Sequence, residues 1–165
     1  MKLELPELKH KNIYEQLRKE WAIFEDISHI SPWALFYWDN FDEFLRETVL
    51  YRTNSPTWVN STLFLLVEDN DIIWAIDIRH NINNPVLMEK WGHIWYWVVP
   101  KFRKKWYATK MLELWLIEAK KMGIEKVLLT CTTENIPSNK VIKSNWGIFD
   151  RLTNDWKMNR YWISL

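Results

Sequence analysis

A short basic run directly before a predicted helix is the segment of this chain best suited to bind an anion. Arg103, Lys104 and Lys105 are followed by Trp106, Tyr107 and Ala108, and a helical pattern begins at 107. The first N–H groups of a helix have no acceptor within it and carry partial positive charge, so phosphates bind there readily. Arg103 can also contact a phosphate bidentately. Taken alone, the run fits a solvated basic turn better, and its neighbours must decide between the two interpretations.

The neighbouring pattern alternates strands with helices and predicts an α/β (α+β) fold. Strands are predicted at 1–5, 61–67, 71–79, 92–99, 126–132, 147–151 and 158–164, and helices at 11–27, 40–50, 107–122 and 135–145. The helix over 107–122 places Met111, Leu112 and Trp115 on one face and is followed by Gly123, a typical helix stop. The resulting order is β-α-α-β-β-β-α-β-α-β-β. A chain of 165 residues suits one domain over 1–165.

Charge and cysteine content exclude several classes of protein. The formal net charge is +1, which argues against bulk attraction to nucleic acid or to a membrane surface. Cys131 stands alone, so we expect no disulfide framework, and a reducing cytoplasmic location fits. The N-terminus has no apolar signal region, and no uncharged apolar run is long enough to span a bilayer. No Cys/His cluster has metal-ligand spacing, so we expect no metal site.

The composition has one strong anomaly, which is 13 Trp beside only 3 Gly. Average usage would give roughly 11–12 glycines in a chain of this length. When each Trp between 91 and 115 is read as Gly, the stretch resembles the cofactor-binding core of the GNAT N-acetyltransferase family. The segment Arg103-Lys104-Lys105-Trp106-Tyr107-Ala108 then falls on that family's Arg/Gln-x-x-Gly-x-Gly/Ala loop. The resemblance is specific over 58–165 and loose over 1–57.

The tryptophans at Gly-type positions suggest a recoded gene. The codon UGA is read as Trp in some genetic codes and as Gly in others, so a wrong translation table would produce this pattern. We hypothesise that Gly is native at positions 33, 38, 58, 74, 91, 95, 97, 106, 115, 146 and 156. Trp21 and Trp162 fit ordinary helix and strand positions and stay as Trp in this hypothesis. The alternative is a Trp-rich protein that binds sugars or aromatic ligands.

The resemblance implies a fold, a cosubstrate and a set of contacts. The GNAT acyl-CoA N-acyltransferase fold has a central mixed, mostly antiparallel sheet flanked by helices, and its cosubstrate is acetyl-CoA. The two strands over 92–99 and 126–132 would splay apart, and the pantetheine arm would pair with backbone groups between them. The implied cofactor-binding residues are Val98, Val99, Arg103, Lys104, Lys105, Trp106, Tyr107, Ala108, Thr109, Asn135 and Ser138. Asn135 fits a helix N-cap equally well.

Acetyl transfer to an amine needs a group that takes the amine's proton. His80 and His93 are the weak candidates for this base, because both lie on or near strands that line the expected acceptor cleft, and structural or surface roles stay open for both. Glu134 is a weaker candidate. The family often has a Tyr acid seven residues after the Asn, where this chain has Ile142. Cys131 fits a buried strand cysteine better than a nucleophile.

The predicted function is therefore an N-acetyltransferase that carries the acetyl group of acetyl-CoA to a primary amine by direct attack. The predicted partner is a small-molecule or peptide amine acceptor, with no nucleic acid and no membrane, and the predicted assembly is a monomer or a homodimer. Two alternatives stay open: a coenzyme A-binding module of this fold without catalysis, and the Trp-rich ligand-binding protein.

Overall fold

The computed structural model describes residues 2–21, 38–56, 59–98, 102 and 107–165. Its helices and strands are β1 Lys2–Glu4, a 3₁₀ turn Leu8–His10, α1 Lys11–Trp21, α2 Phe41–Asn54, β2 Ser61–Glu68, β3 Asp71–Arg79, a π-helical turn Leu87–Trp91, β4 Ile94–Val98, α3 Tyr107–Lys121, β5 Lys126–Thr132, α4 Ile136–Ser144, β6 Ile148–Leu152 and β7 Met158–Ser164. The described strands form one sheet in the order β1-β2-β3-β4 and another in the order β5-β7-β6. The fold class is therefore α/β, with antiparallel sheets and flanking helices, as predicted. The chain divides into two compact units, 1–77 with 96–101 and 78–95 with 102–165.

The first unit is built on an aromatic cluster between its two helices. The ring of Tyr14 on α1 stacks on Phe44 at 4.7 Å and meets the edge of Phe41 at 5.2 Å, and all three side chains are fully buried. Asn40 caps α2, because its side chain accepts a hydrogen bond from the Glu43 N–H. The β2–β3 hairpin turns at Asp69 and Asn70, and both have the positive φ that a tight hairpin turn requires.

The second unit is built on the sheet of β5, β7 and β6, which is antiparallel throughout. The buried side chains of this sheet include Val127, Leu129 and Ile163, and Ile142 on α4 is also buried. The pairing of β6 with β7 shifts register between Phe149 and Leu152, which marks a bulge or irregularity. α3 and α4 belong to this unit, and the amide of Asn145 joins them by donating to the Thr109 carbonyl at 3.1 Å.

The predicted elements are found with shifted ends. The helix predicted over 11–27 is seen to Trp21, and 22–37 lies outside the described residues. The helix predicted over 40–50 continues one turn further to Asn54. The strand predicted from 92 starts only at Ile94, because the Gly92 N–H bonds to the Leu87 carbonyl and the His93 N–H bonds to Leu128 of β5. The single domain over 1–165 stays a prediction.

Two tryptophans occupy backbone conformations that favour glycine. Trp146 has φ +65° and follows α4 as the C′ residue of a Schellman motif: its N–H bonds to the Lys143 carbonyl, and the Gly147 N–H bonds to the Ile142 carbonyl. Trp156 has φ +61° in the β6–β7 hairpin, where its N–H closes a turn onto the Thr153 carbonyl at 2.8 Å. Both indoles are mostly exposed, at 87% and 75%. A bulky residue with such φ is uncommon, so the backbone at 146 and 156 is of the glycine type.

Other hypothesised glycine positions look different. Trp74 on β3 and Trp115 on α3 are fully buried, and Trp74 stacks on Tyr96 at 5.3 Å. Trp38 is half-buried and Trp91 is exposed. Positions 33, 58 and 106 lie outside the described residues, and at 95 and 97 only the backbone is described.

Candidate functional site

Residues 92 and 93 tie the start of β4 to the middle of β5. The His93 N–H donates to the Leu128 carbonyl at 2.9 Å, and the Leu128 N–H donates to Nδ1 of His93 at 3.0 Å. Gly92 has φ +59°, and a Cβ added there would overlap the Leu128 carbonyl oxygen. A glycine is therefore required at this contact for both its conformation and its size. Beyond this contact β4 and β5 belong to different sheets.

The imidazole of His93 is buried and neutral. Burial, helped by the nearby Arg79 guanidinium, lowers its pKa to about 4. Because Nδ1 accepts a backbone hydrogen bond, the proton of the neutral ring is on Nε2. The ring also meets the edge of Trp162 at 6.4 Å. His93 is thus held as a backbone partner of β5, with little basicity at neutral pH.

His80, the other base candidate, directly follows β3 and is half-buried. Its neighbour Arg79 bonds by its N–H to the His93 carbonyl at 2.8 Å, so the two histidines lie near the same end of β3. The buried Arg79 guanidinium also donates to the Gly92 carbonyl at 3.2 Å. Glu134 is exposed on the loop before α4.

The predicted phosphate-binding residues are described only at the helix. Tyr107, Ala108 and Thr109 form the first turn of α3 and are half-buried. The ring of Tyr107 meets Phe102 edge-on at 6.1 Å. Val98 is the last residue of β4. The other predicted contacts lie outside the described residues: Val99, Arg103, Lys104, Lys105 and Trp106. The helix that should follow the phosphate loop thus begins at 107, as predicted, whereas the predicted strand end at 99 lies outside the described residues.

Asn135 caps α4 and accepts a hydrogen bond from the Ser138 N–H at 3.1 Å. One turn on, the amide of Asn139 is fully satisfied: its Oδ1 accepts from Tyr161 Oη at 2.6 Å and from Asn159 Nδ2 at 2.8 Å. Its Nδ2 donates to the Asn135 and Thr132 carbonyls. This buried network fixes the start of α4 against β7. Asn139 was not singled out from the sequence.

The loop over 80–91 carries an ion-pair network that sequence reasoning missed. Glu89 in the π-helical turn accepts from Arg151 at 2.6 Å, from Arg160 at 3.3 Å and from the Asn154 N–H. These donors, Arg151 above all, lower the pKa of Glu89 to about 2. The turn is therefore fastened to the β6–β7 hairpin. Partners more than sixty residues away gave no local signal in the sequence.

The first unit contains a cleft between α2 and the strands β2 and β3. It is an open space of about 360 Å³ whose lining includes Glu47 and Tyr51 from α2 and Asp77 from β3. Asp77 is only 7% exposed, and the Glu47 side chain only 13%. Asp77 interrupts the apolar middle of β3, between Ile76 and Ile78. Within the described part of the chain, no His, Cys, Asp and Glu side chains gather as a metal site.

Comparison with known proteins identifies the class. The model of the Acetyltransferase (GNAT) family matches residues 14–147. The chain therefore belongs to the GNAT acetyltransferase family, whose members use acetyl-CoA as cosubstrate, and it is an acyltransferase by that membership. None of the helices in the described ranges is long and apolar enough to cross a membrane.

Solved structures agree on the fold. Microcin C7 self immunity acetyltransferase MccE, solved in complex with acetyl-CoA and AMP, is 15% identical, with 99% of this chain and 91% of that chain covered and a TM-score of 0.66. A dodecameric spermidine N-acetyltransferase from Vibrio cholerae is 14% identical, with coverage of 99% and 92% and the same TM-score of 0.66. The GNAT domain of S. lividans PAT is 15% identical, with coverage of 72% and 77% and a TM-score of 0.54. No curated protein matches the chain.

Proposed function

We propose that this protein transfers the acetyl group of acetyl-CoA to a primary amine by direct attack. The amine nitrogen bonds to the thioester carbonyl carbon, the C–S bond breaks, and coenzyme A leaves as its thiolate. The proton lost by the amine passes to a base or to water. The observation that carries this proposal is the family match over 14–147, which includes the segment from β4 to α3, and within that segment α3 begins at Tyr107.

The cosubstrate's diphosphate would be held by 103–108. The unsatisfied N–H groups at the start of α3 attract an anion, and Arg103, Lys104 and Lys105 add positive charge. Backbone groups at Val98 and Val99 would pair with the pantetheine amides. Asn135 uses its Oδ1 to cap α4, which leaves its Nδ2 for a contact with the pantetheine region, and Ser138 lies one turn further on.

For the base we favour His80 over His93. A pKa near 4 leaves His93 a poor proton acceptor, and its Nδ1 is already occupied by the Leu128 N–H. His80 is half-buried at the end of β3. If His80 is the base, His80→Gln should lower kcat/KM and remove a limb of its pH profile, while binding of acetyl-CoA stays unchanged. An unaltered pH profile would remove His80 from this role.

A covalent acetyl-enzyme is not part of the proposal. Cys131 is buried on β5, and burial raises the pKa of its thiol to about 11, so little thiolate is present at neutral pH. Cys131→Ala should therefore keep its activity. Mass spectrometry of the protein after incubation with acetyl-CoA alone should show no stable acetyl adduct, and an adduct on Cys131 would contradict direct attack.

The test of the cosubstrate site is a calorimetric titration with acetyl-CoA. Because Trp106 is one of the hypothesised glycine positions in the loop, we expect Trp106→Gly to bind more tightly than the chain with Trp106. In that background, Arg103→Ala with Lys105→Ala should weaken binding, and more strongly at low salt. The matched control is Lys120→Ala with Lys121→Ala at the other end of α3, which should bind unchanged. Equal affinity for the 103/105 variant and its control would exclude this loop.

Turnover is tested with acetyl-CoA and a mixture of primary amines, followed by release of free thiol. Release that depends on the amine supports the transferase. Binding of acetyl-CoA without release from any amine would instead indicate a coenzyme A-binding module. The cytoplasmic location and the monomeric or dimeric state stay predictions.

A further inference from the structure

We propose that Asn139 is a positioning residue for the cosubstrate: its amide fixes the placement of Asn135, and through Asn135 it sets how tightly the pantetheine arm of acetyl-CoA is held. Asn139 is buried, whereas Asn135 is exposed at the start of α4, so only Asn135 is within reach of a ligand. The inference rests on the proposed function, in which Asn135 contacts the pantetheine region.

The amide nitrogen of Asn139 closes the loop between β5 and α4. Its Nδ2 donates to the Asn135 carbonyl at 2.9 Å and to the Thr132 carbonyl at 3.2 Å. The Asn135 N–H reaches the same Thr132 carbonyl at 3.1 Å. A single side chain therefore joins the last residue of β5 to the cap of α4.

The orientation of this amide is fixed from its other side. Oδ1 of Asn139 accepts from Tyr161 Oη at 2.6 Å and from Asn159 Nδ2 at 2.8 Å, and both donors are on β7. Carbonyl oxygens can only accept, so the Nδ2 end must face Thr132 and Asn135. A carboxylate at this position has no donor, and it would place an oxygen against both carbonyls.

The backbone of Asn135 differs from that of an ordinary helix cap. Its φ is −78° and its ψ is 70°, and the Ile136 N–H bonds to the Glu134 carbonyl at 2.8 Å, which is an inverse γ-turn centred on Asn135. Asn40, the cap of α2, is extended instead, with φ −149° and ψ 170°. The bond from Asn139 to the Asn135 carbonyl therefore holds a particular orientation of this cap, and with it the direction of the Asn135 side chain.

The two ends of the Asn135 side chain have different tasks. Oδ1 accepts from the Ser138 N–H at 3.1 Å and caps the helix, and Nδ2 is the donor proposed for the pantetheine arm. Hydrogen bonds weaken steeply when donor and acceptor are misaligned, so a small rotation of the cap is enough to impair the contact with the ligand. Loss of this one contact should reduce affinity by about three- to tenfold.

The experiment compares acetyl-CoA with 3′-phospho-ADP, which has the nucleotide and the diphosphate but lacks the pantetheine arm. Both are titrated calorimetrically into the Trp106→Gly chain and into variants made in it. We expect Asn139→Asp to raise the Kd for acetyl-CoA by about three- to tenfold and to leave the Kd for 3′-phospho-ADP unchanged. Asn139→Ala removes the donor without adding a charge, and it makes the same comparison if Asn139→Asp does not fold. A merely structural role would move both constants together or neither, and either result would overturn the proposal.

A second substitution tests the route through Asn135. Asn135→Ser keeps a side-chain oxygen that caps α4 but has no Nδ2 donor, so it should show the same selective loss of acetyl-CoA affinity while the helix stays capped. In the Asn135→Ser background, Asn139→Asp should add no further selective loss, because the contact on which it acts is already absent. A second loss of the same size would overturn the proposal.

The matched control is Asn145→Asp at the other end of α4. Asn145 is also buried, and its Nδ2 likewise donates to two carbonyls, those of Thr109 at 3.1 Å and Val141 at 3.0 Å. Because these bonds do not involve the loop before α4, Asn145→Asp should change the two Kd values by the same factor. A selective loss equal to that of Asn139→Asp would overturn the proposal, since any damage to α4 would then produce it.

The two ligands also separate this inference from the proposed function. If both bind and Asn139→Asp affects them equally, the positioning role fails and the cosubstrate site stands. If neither ligand binds to the Trp106→Gly chain, the proposed cosubstrate site fails, and the role of Asn139 fails with it.

Discussion

Replacing Trp146 by Gly should stabilise this protein, although most substitutions of a large aromatic residue do the opposite. The reason lies in the end of α4, where Trp146 holds φ +65° between the two hydrogen bonds of a Schellman motif. A left-handed conformation costs a residue with a Cβ roughly 1–2 kcal/mol. Glycine avoids this cost, but it makes the unfolded chain more flexible, and the larger entropy of the unfolded state lowers the free energy of unfolding by about 0.4–1 kcal/mol.

The side chain of Trp146 contributes little to offset the strain. The residue is 87% exposed, so removing its indole sacrifices almost no buried surface. At the middle of these ranges the net gain for Trp146→Gly is about 0.8 kcal/mol, which corresponds to a Tm about 2–3 °C higher for a chain of this length. Trp156→Gly should behave alike, because Trp156 has φ +61° and is 75% exposed.

The assay is urea unfolding at equilibrium, supported by a thermal melt. Asn70→Gly is the matched control, since Asn70 has φ +66° but asparagine tolerates this region, and its gain should be close to zero. A loss of stability in Trp146→Gly, or an equal gain in Asn70→Gly, would refute the reasoning from φ. The origin of the residue is a separate question, answered by the codon: UGA at 146 and 156 supports recoding, and UGG contradicts it.

Three further predictions concern the second unit. The pKa of His93 is about 4 in the folded protein, below its ordinary 6.5, so the unfolded chain binds a proton at a higher pH than the folded one. The free energy of unfolding should therefore fall by roughly 3 kcal/mol as the pH drops from 6.5 to 4. His93→Gln should flatten that part of the curve of unfolding free energy against pH. Glu89→Gln should lower the free energy of unfolding in urea by about 1–3 kcal/mol, because it weakens a charged hydrogen-bond network. Glu113→Gln, which alters an exposed ion pair, should change this free energy by at most a few tenths of a kcal/mol. Gly92→Ala should cost more than Gly123→Ala in the same assay, since both have positive φ but only at Gly92 would the new Cβ meet backbone.

The regular elements of this fold could be read from the sequence because their signals are local. The helix from Tyr107 carries its apolar residues at helical spacing, and the strand from Lys126 is a short apolar run. The π-helical turn at Leu87–Trp91 could not be predicted, since Glu89 holds it through Arg151 from a distant hairpin. Helix ends also shifted by a few residues, as expected where periodicity fades.

The candidate site could be predicted in part. The start of α3 at 107 was found, because helical periodicity is local in sequence, and the phosphate loop before it stays a prediction. The role of His93 could not be found, since it depends on the Leu128 backbone, thirty-five residues away. Asp77 gave a usable signal, a charge in the apolar middle of a strand, but Glu47, which lines the same cleft, comes from a different element.

Four of the described tryptophans fall into two kinds, and the difference limits what replacing all of them by glycine would do. At Trp146 and Trp156 the backbone already adopts the glycine conformation and the indole lies in solvent, so the smaller residue relieves strain. At Trp74 and Trp115 the indole fills the core, and glycine would leave a cavity that costs about 3–5 kcal/mol unless neighbouring side chains move in. If glycine is native at all four positions, neighbouring side chains must fill the space at 74 and 115 that the two indoles occupy in this chain. The variants at 146 and 156 therefore test the backbone alone, whereas those at 74 and 115 test whether the core can repack.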